Sequence, residues 1–385
     1  MKAIELFAGA GGLGIGVSKA GFQPVKIVEW DRWCCDTINE NRRANVSAVK
    51  SWPEPHCGDV RPIDFRSLEG KVHLVSGGPP CQPFSLGGKH GAHTDHRDMW
   101  SQAVRVVRET RPQTFIFENV RGLTRASFRT YFSYIELQLQ HPAIQRGEDE
   151  NWVDHLARLE QHHTSKEEIE PEYRLVWRVL NAADYGIPQR RERVVFVGFR
   201  SDLGLRWNFP EKTHSLDALL WDVHRTAEYW DHHRVPFLER NLDVRLENRA
   251  DSLEHRPAGE RWQTVRDTLA GLPDPRVQGH AFKNHKYQQG ARSYPGHTGS
   301  PMDLPAKTLK AGVHGVPGGE NMLLMPDGSV RYFTVRESAR LQTFPDDYEL
   351  HGSWTEAMRQ LGNAVPVELA HVIAKDVATH LRRAA

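Results

Sequence analysis

Short apolar runs alternate with segments of helical period through the first 120 residues. Ala3-Ile4-Glu5-Leu6-Phe7 reads as a strand running into a glycine loop, and Leu13 to Ala20 as a helix closed by Gly21. Val25 to Glu29 is a second strand, followed by a helix to Asn41 that Asp31 caps. Val72 to Ser76 and Thr114 to Glu118 are further strands, with a helix from Met99 to Thr110 between them. This rhythm predicts βαβ units and a mostly parallel α/β sheet covered on both faces, with ligands at the carboxyl ends of its strands. Strand pattern resumes at Tyr173 to Leu180 and Val194 to Phe199, and beyond Arg200 the alternation fails. Leu216, Leu219, Leu220, Val223, Ala227 and Trp230 recur at the spacing of a core-facing helix. Residues 272–330 are rich in Gly, Pro and His without a regular period, and a helix from Val367 to Arg382, expected beside the first, closes the chain.

Composition narrows the class. A chain of 385 residues has room for two or three domains, and 26% charged with 39% hydrophobic residues is ordinary for a globular protein. No apolar run approaches the roughly 20 residues a membrane span needs, so no membrane role is expected. Met1 to Ala20 is interrupted by Glu5 and by glycines from Gly9 to Gly16, which reads as strand and loop in place of a signal peptide. Four cysteines (Cys34, Cys35, Cys57 and Cys81), two of them adjacent, make a disulfide framework unlike this chain. The formal charge is only +1, but its distribution is uneven. Residues 148–172 hold nine acidic residues against Arg158 and Lys166, a pattern expected of a solvated helical insertion. Residues 276–314 hold Arg276, Lys283, Lys286, Arg292, Lys307 and Lys310 against Asp303, interleaved with Tyr287, Tyr294 and histidines 280, 285, 297 and 314.

Candidate chemistry clusters after the strands. Gly9-Ala10-Gly11-Gly12-Leu13-Gly14 satisfies G-x-G-x-x-G, and Glu29 stands at the end of the next strand, 20 residues after Gly9. Such glycines admit close approach of a ligand, and the acid can accept both hydroxyls of a ribose. Trp30 could pack on an adenine or be an ordinary aromatic, and Asp59 could accept from an adenine amino group or close a turn. In Gly77-Gly78-Pro79-Pro80-Cys81-Gln82 two prolines hold Cys81 on a stiff arm past a strand end, a poor place for a buried structural cysteine. The remaining cysteines lack zinc-ligand spacing, so no metal is expected. Glu118 ends another strand, and alternation in Gln189-Arg190-Arg191-Glu192-Arg193 puts Arg191 and Arg193 on one face.

Together, Phe7-Ala8-Gly9-Ala10-Gly11-Gly12, Gly78-Pro79-Pro80-Cys81-Gln82, Glu118-Asn119-Val120, Gln189-x-Arg191-x-Arg193, Arg336-Glu337 through Leu341-Gln342-Thr343-Phe344-Pro345, and Gln360-Leu361-Gly362-Asn363-Ala364-Val365-Pro366 occur in the motif order of the DNA (cytosine-5)-methyltransferases. The chain resembles that family over nearly its whole length. The resemblance implies a Rossmann-like S-adenosylmethionine-dependent methyltransferase domain at 1–200 and 331–385, with the acidic insertion at about 141–172. A smaller, irregular target-recognition domain with its hinge would span 201–330.

It further implies catalysis by Cys81 adding to cytosine C6, Glu118 engaging N3 and the exocyclic amine, and Arg191, with Arg193, holding O2. S-adenosylmethionine, leaving as S-adenosylhomocysteine, would contact Phe7, Gly9, Gly11, Gly12, Glu29, Trp30, Asp59, Val60, Pro79, Asn363 and Ala364. Double-stranded DNA, its target base flipped out, would meet Ser85 and Arg97 on a closing loop from Ser85 to Asp98, and Lys283, Lys286, Arg292, Thr308 and Lys310. A monomer in the cytoplasm is expected, with a cognate restriction endonuclease as a candidate partner. Competing readings are a tRNA cytosine-5 methyltransferase, a non-catalytic DNA-binding relative, and an NAD-dependent oxidoreductase. The last rests on the glycine loop and Glu29 alone and leaves Pro79-Pro80-Cys81 unexplained; the long stretch from Phe199 to Arg331 favours DNA over tRNA.

Overall fold

The computed structural model describes residues 1–80, 99–165, 167, 169–240, 244–295, 297–312 and 321–384. Cys81, Ser85, Arg97, the expected closing loop and His314 lie outside the described residues. The chain divides into two units, one of Met1–Leu180, Arg193–Pro210 and Ile373–Ala385, the other of Asn181–Glu192 and Glu211–Val372. Residues 331–372 therefore pack with the second unit, unlike the expected boundary at 330. The reason is a shared core: Phe333 and Leu341 bury against Val265, Ala306, Leu309 and Leu323. Arg336 adds to it, donating to the carbonyls of Lys283, Pro345 and Tyr348.

The first unit is built on a sheet of seven strands. These are β1 (Lys2–Leu6), β2 (Gln23–Glu29), β3 (His56–Cys57), β4 (Leu74–Gly77), β5 (Thr114–Val120), β6 (Tyr173–Asn181) and β7 (Glu192–Arg200), in the order β3-β2-β1-β4-β5-β7-β6. The pairs from β3 to β5 are parallel and β7 runs antiparallel to β5, so the expected mostly parallel sheet is present. Helices α1 (Gly12–Lys19), α2 (Arg32–Arg43) and α3 (Trp100–Thr110) connect successive strands. Asp31 caps α2 by accepting from Cys34 N at 3.1 Å, as its sequence position predicts. Gly14 is glycine for packing: a Cβ there would lie 2.8 Å from the Trp52 ring.

The acidic segment forms α5 (Trp152–Thr164) after α4 (Arg129–Gln140). It is amphipathic and not wholly solvated, since Leu156 and Leu159 enter the main core beside Tyr134 and Ile135. The closing helix Val367–Ala384 does meet the first: Arg382 Nη2 donates to Ala20 O at 3.4 Å.

In the second unit the helical period from Leu216 to Trp230 is real but broken. Leu216–Leu220 and Glu228–His233 are separate helices, parted where Ala227 takes φ of 62°. Leu219, Val223 and Trp230 nevertheless share one core with Tyr229 and Val235.

Glu5 is the one buried acid of β1. Its register partner on β4 is Ser76, whose hydroxyl donates to Glu5 Oε2, while Oε1 is buried with no partner among the described residues. Burial pushes the Glu5 carboxyl up to about 8, against the Ser76 bond and with a smaller push from Glu118. The raised value sets the sign of a stability effect. Between about pH 4.5 and 8 the unfolded chain has lost this proton and the folded chain keeps it, so stability falls across that window as pH rises. Glu5→Gln removes the proton, so the variant should gain on the parent progressively from pH 4.5 to 8 in denaturant titrations. A pH-independent difference would mean that Glu5 is ionised in the fold.

Candidate active site

Strand register assembles the first group of side chains. Leu6 lies opposite Gly77, and Gly77 opposite Phe117, so the following residues Phe7, Gly78 and Glu118 fall in one row at the strand ends. A Cβ on Gly78 would sit 2.6 Å from Glu118 Oε1, so the missing side chain is the space that the carboxylate fills. Across β7, Arg193 pairs with Val120 and brings Nε to 3.4 Å from Glu118 Oε2, both side chains about nine-tenths buried. Burial pushes the Arg193 guanidinium down and Glu118 pushes it back. Asn119 Nδ2 donates to Pro79 O at 2.9 Å and Asn119 Oδ1 accepts from Val120 N. The end of β5 thereby holds the Pro79-Pro80 arm that leads into Cys81.

Arg191 requires a correction. Alternation places it on the same side as Arg193, and both are buried. Its guanidinium, however, lies in the second unit, where Nη1 donates to Leu309 O at 3.0 Å and Nη2 to Gly362 O at 2.6 Å. With no exposed surface, it ties two backbone segments through Nη1 and Nη2. Of the pair, Arg193 is the one beside Glu118.

The second group surrounds Glu29. Its carboxylate accepts from Gly9 N at 2.6 Å and from Asp31 N at 2.7 Å. Burial raises its pKa, and these backbone bonds oppose the rise. Gly9 has φ of 55° and open space where a Cβ would stand; Gly11, at φ of 88°, precedes Gly12 at the start of α1. Phe7 also takes positive φ, at 53°, a strained conformation for a residue with a side chain. Trp30 is 68% exposed, which removes it from any core. Asp59 is shared: Arg61 donates to it from both N and Nε, and the Nε bond first of all holds the carboxyl below its usual range. Val60 points into the core. Asn363, exposed at the end of the helix Trp354–Asn363, and buried Ala364 belong to the second unit. The residues fit a nucleoside-bearing ligand: each Glu29 oxygen keeps a further lone pair, beside open glycine backbone and an exposed indole.

The basic residues differ in their surroundings. Thr308 Oγ1 donates to Arg190 O at 2.6 Å, which makes it a tie within the second unit. Lys283 Nζ lies 2.8 Å from Glu349 Oε2. Lys286, Arg292 and Lys310 are exposed. Arg276 lies over the exposed Tyr287 ring at 5.8 Å and pairs through Nε with Asp274 at 3.1 Å.

Gly78, Asn119 and the Glu5–Ser76 pair are not marked as site residues by local sequence pattern. Two successive glycines before the prolines are the available signal for the first. Because Glu118 Oε1 is the far end of a flexible side chain, Gly78→Ala should fold normally yet displace the carboxylate. We expect a fall in turnover of about 10²-fold with little change in melting temperature. Unaltered turnover would show that Glu118 needs no such space.

Comparison with known proteins bears on the whole chain. The C-5 cytosine-specific DNA methylase family matches residues 1–141 and 151–379, passing over the start of the acidic segment. The chain is 31% identical over 384 residues to the type II methyltransferase M.PspPI of Psychrobacter sp. (strain TA137), covering 99% of this chain and 80% of that protein. It is 32% identical over 378 residues to the type II methyltransferase M.Eco47II of Escherichia coli, covering 97% and 78%. Among solved structures, an E. coli prophage-encoded DNA modification methyltransferase superposes with a TM-score of 0.58 at 20% identity, covering 99% of each chain. The S. pombe Dnmt2 methyltransferase gives 0.55 at 16% identity, covering 100% of this chain and 99% of that one; at such identities these likenesses speak to the fold. With the motifs in order and the family matched from end to end, the chain belongs to the C-5 cytosine-specific DNA methylases.

Proposed function

We propose that this DNA cytosine-5 methyltransferase acts on a flipped cytosine in a specific double-stranded site through a covalent bond from Cys81 to C6, as the modification methylase of a restriction system. The observation that supports this most is the Glu118–Arg193 pair, buried at the strand ends and joined through Asn119 to the arm that carries Cys81. Cytosine C5 is a weak nucleophile. Addition of the Cys81 thiolate to C6 makes C5 enamine-like, and loss of the C5 proton after methylation lets the thiolate leave. Glu118 would engage N3 and the exocyclic amine, and Arg193 would hold the carboxylate in place and face the ring oxygen. S-adenosylmethionine supplies an electrophilic methyl group when bound. Glu29 would take its ribose hydroxyls, Trp30 its adenine, and the backbone from Phe7 to Gly12 its remaining atoms; Asp59 would serve the adenine only by sharing with Arg61. A restriction role rests on the type II methyltransferase names of the relatives and on the exposed basic face of the second unit.

Two measurements test the reading. Duplex DNA carrying 5-fluorocytosine at the target should trap a denaturation-resistant adduct, because fluorine cannot leave as the proton does. Cys81→Ser should abolish the trap and lower turnover by at least about a thousand-fold while cofactor still binds. An adduct formed at another residue, or turnover retained in the variant, refutes the nucleophile. On the DNA face, Lys286→Ala with Arg292→Ala should weaken binding and make the plot of log K against log salt shallower by about 0.9 for each phosphate that is no longer neutralised. An unchanged slope would place the phosphates elsewhere.

A further inference from the structure

Two thiols meet at the edge of the sheet beside Glu29. β3 is only His56–Cys57 long, and Cys57 lies opposite Glu29 in its parallel pairing with β2. Cys35, in the first turn of α2, points its Sγ at Glu29 O, 3.6 Å away. Gly58 N donates to the same carbonyl at 2.8 Å. The two side chains so converge from a helix and a strand on the backbone of Glu29, near enough for each thiol to act on the other. They differ in access: Cys35 is buried and Cys57 is exposed. A pair of inert packing thiols would not leave one member at the surface of an edge strand.

We propose that Cys57 is a thiol-modification site for low-molecular-weight disulfides, with Cys35 as its resolving thiol. The Cys57 thiolate attacks one sulfur of R–S–S–R. That bond breaks, RS⁻ leaves with the electron pair and takes a proton from water, and Cys57 carries a mixed disulfide. Cys35, giving its proton to solvent, then attacks the Cys57 sulfur and expels the second RS⁻. The net change oxidises the two protein thiols by two electrons and reduces R–S–S–R to two RSH. Burial first, and then Cys57, Glu29 and Asp31, hold the proton on Cys35, so Cys57 is the thiol that reacts from solvent. Capping Cys57 removes its charge from beside Cys35 and eases the second step.

The bond would draw the first turn of α2 against β3. Glu29 lies on one side of that junction and Asp59, two residues beyond Cys57, on the other. Oxidation therefore strains the corner that presents both carboxylates, and the expected consequence is weaker S-adenosylmethionine binding. This consequence rests on the cofactor reading above; formation of the disulfide does not.

The test treats the full chain with excess glutathione disulfide and reads it by non-reducing peptide mass mapping and by calorimetric titration with S-adenosylmethionine. Methylation is not the readout, because Cys81 would be thiolated too. The parent should give a Cys35–Cys57 cross-linked peptide, Cys35→Ser a persistent glutathione adduct on Cys57, and Cys57→Ser neither. Affinity for S-adenosylmethionine should fall about ten-fold in the oxidised parent, return with dithiothreitol, and stay unchanged in Cys57→Ser. Absence of the cross-linked peptide overturns the site, and equal affinity of oxidised and reduced parent overturns its effect. Failure of the reduced parent to bind S-adenosylmethionine at all would refute the cofactor reading, leaving the mapped disulfide to decide the thiol chemistry.

Discussion

The parallel register of β1, β4 and β5 is the constraint from which the active-site geometry follows. Backbone hydrogen bonds fix Leu6, Gly77 and Phe117 as neighbours, and the residue after each enters the same row. Because side chains alternate with period two, a slip of one residue between β4 and β5 would turn Glu118 to the other face of the sheet and set Phe117 or Asn119 in its place. Specificity of register is strong here because Ile4, Leu6, Val75, Phe115 and Phe117 are all buried in a single core. The row that holds Glu118 is thus secured by apolar packing on the opposite face.

Much of this is legible from the chain. The strands that precede Gly9, Glu29, Gly78 and Asn119, and the Asp31 cap, depend on local periodicity and on residues two to four apart, which a sequence displays directly. The two arginines of Gln189-x-Arg191-x-Arg193 mark where that legibility ends. Alternation puts them on one face, and both are buried there, yet one meets Glu118 and the other meets carbonyls. What separates them is the distant segment that each meets: Val120 of β5 beside Arg193, and the backbone of residues 309 and 362 for Arg191, which precedes β7. That is a long-range pairing, and no local pattern encodes it. Thr308 is similar: its hydroxyl is taken by Arg190 O, a partner 118 residues away. The acidic segment shows the converse, since its charge count conceals Leu156 and Leu159 on the inner face of α5.

The second unit also carries charges inside. Arg331 makes a bidentate pair with Glu337, whose carboxylate also accepts from Thr334 N, and Arg336 spends its guanidinium on three carbonyls. Buried ion pairs of this kind contribute little net stability against well-packed apolar residues, because desolvation offsets the attraction. Their effect is geometric. Each removed donor would leave a buried carbonyl or carboxylate unsatisfied, at a cost of about 1–3 kcal/mol, so misassembled arrangements are disfavoured strongly. Arg191 belongs with them: it joins residues 309 and 362 of the chain, and so sets the backbone next to Asn363 and Lys310.

The Glu29 side follows a different logic, preorganisation without buried ion pairs. Its two oxygens are already engaged by Gly9 N and Asp31 N, so the carboxylate is aimed before any ligand arrives. The strained turn that delivers Gly9 N is held by Ala8 N donating to Val28 O and Gly11 N donating to Ala8 O. Folding thus covers both the conformational cost of Phe7 at positive φ and the entropy of fixing Glu29. A ligand that accepts this geometry meets lone pairs already oriented, and the affinity it gains comes from ordering that it does not have to supply. For the same reason the corner is sensitive to small movement. A shift of β3 or α2 that leaves every core residue in place would still turn the carboxylate, because backbone N–H groups of the adjoining turns hold its direction.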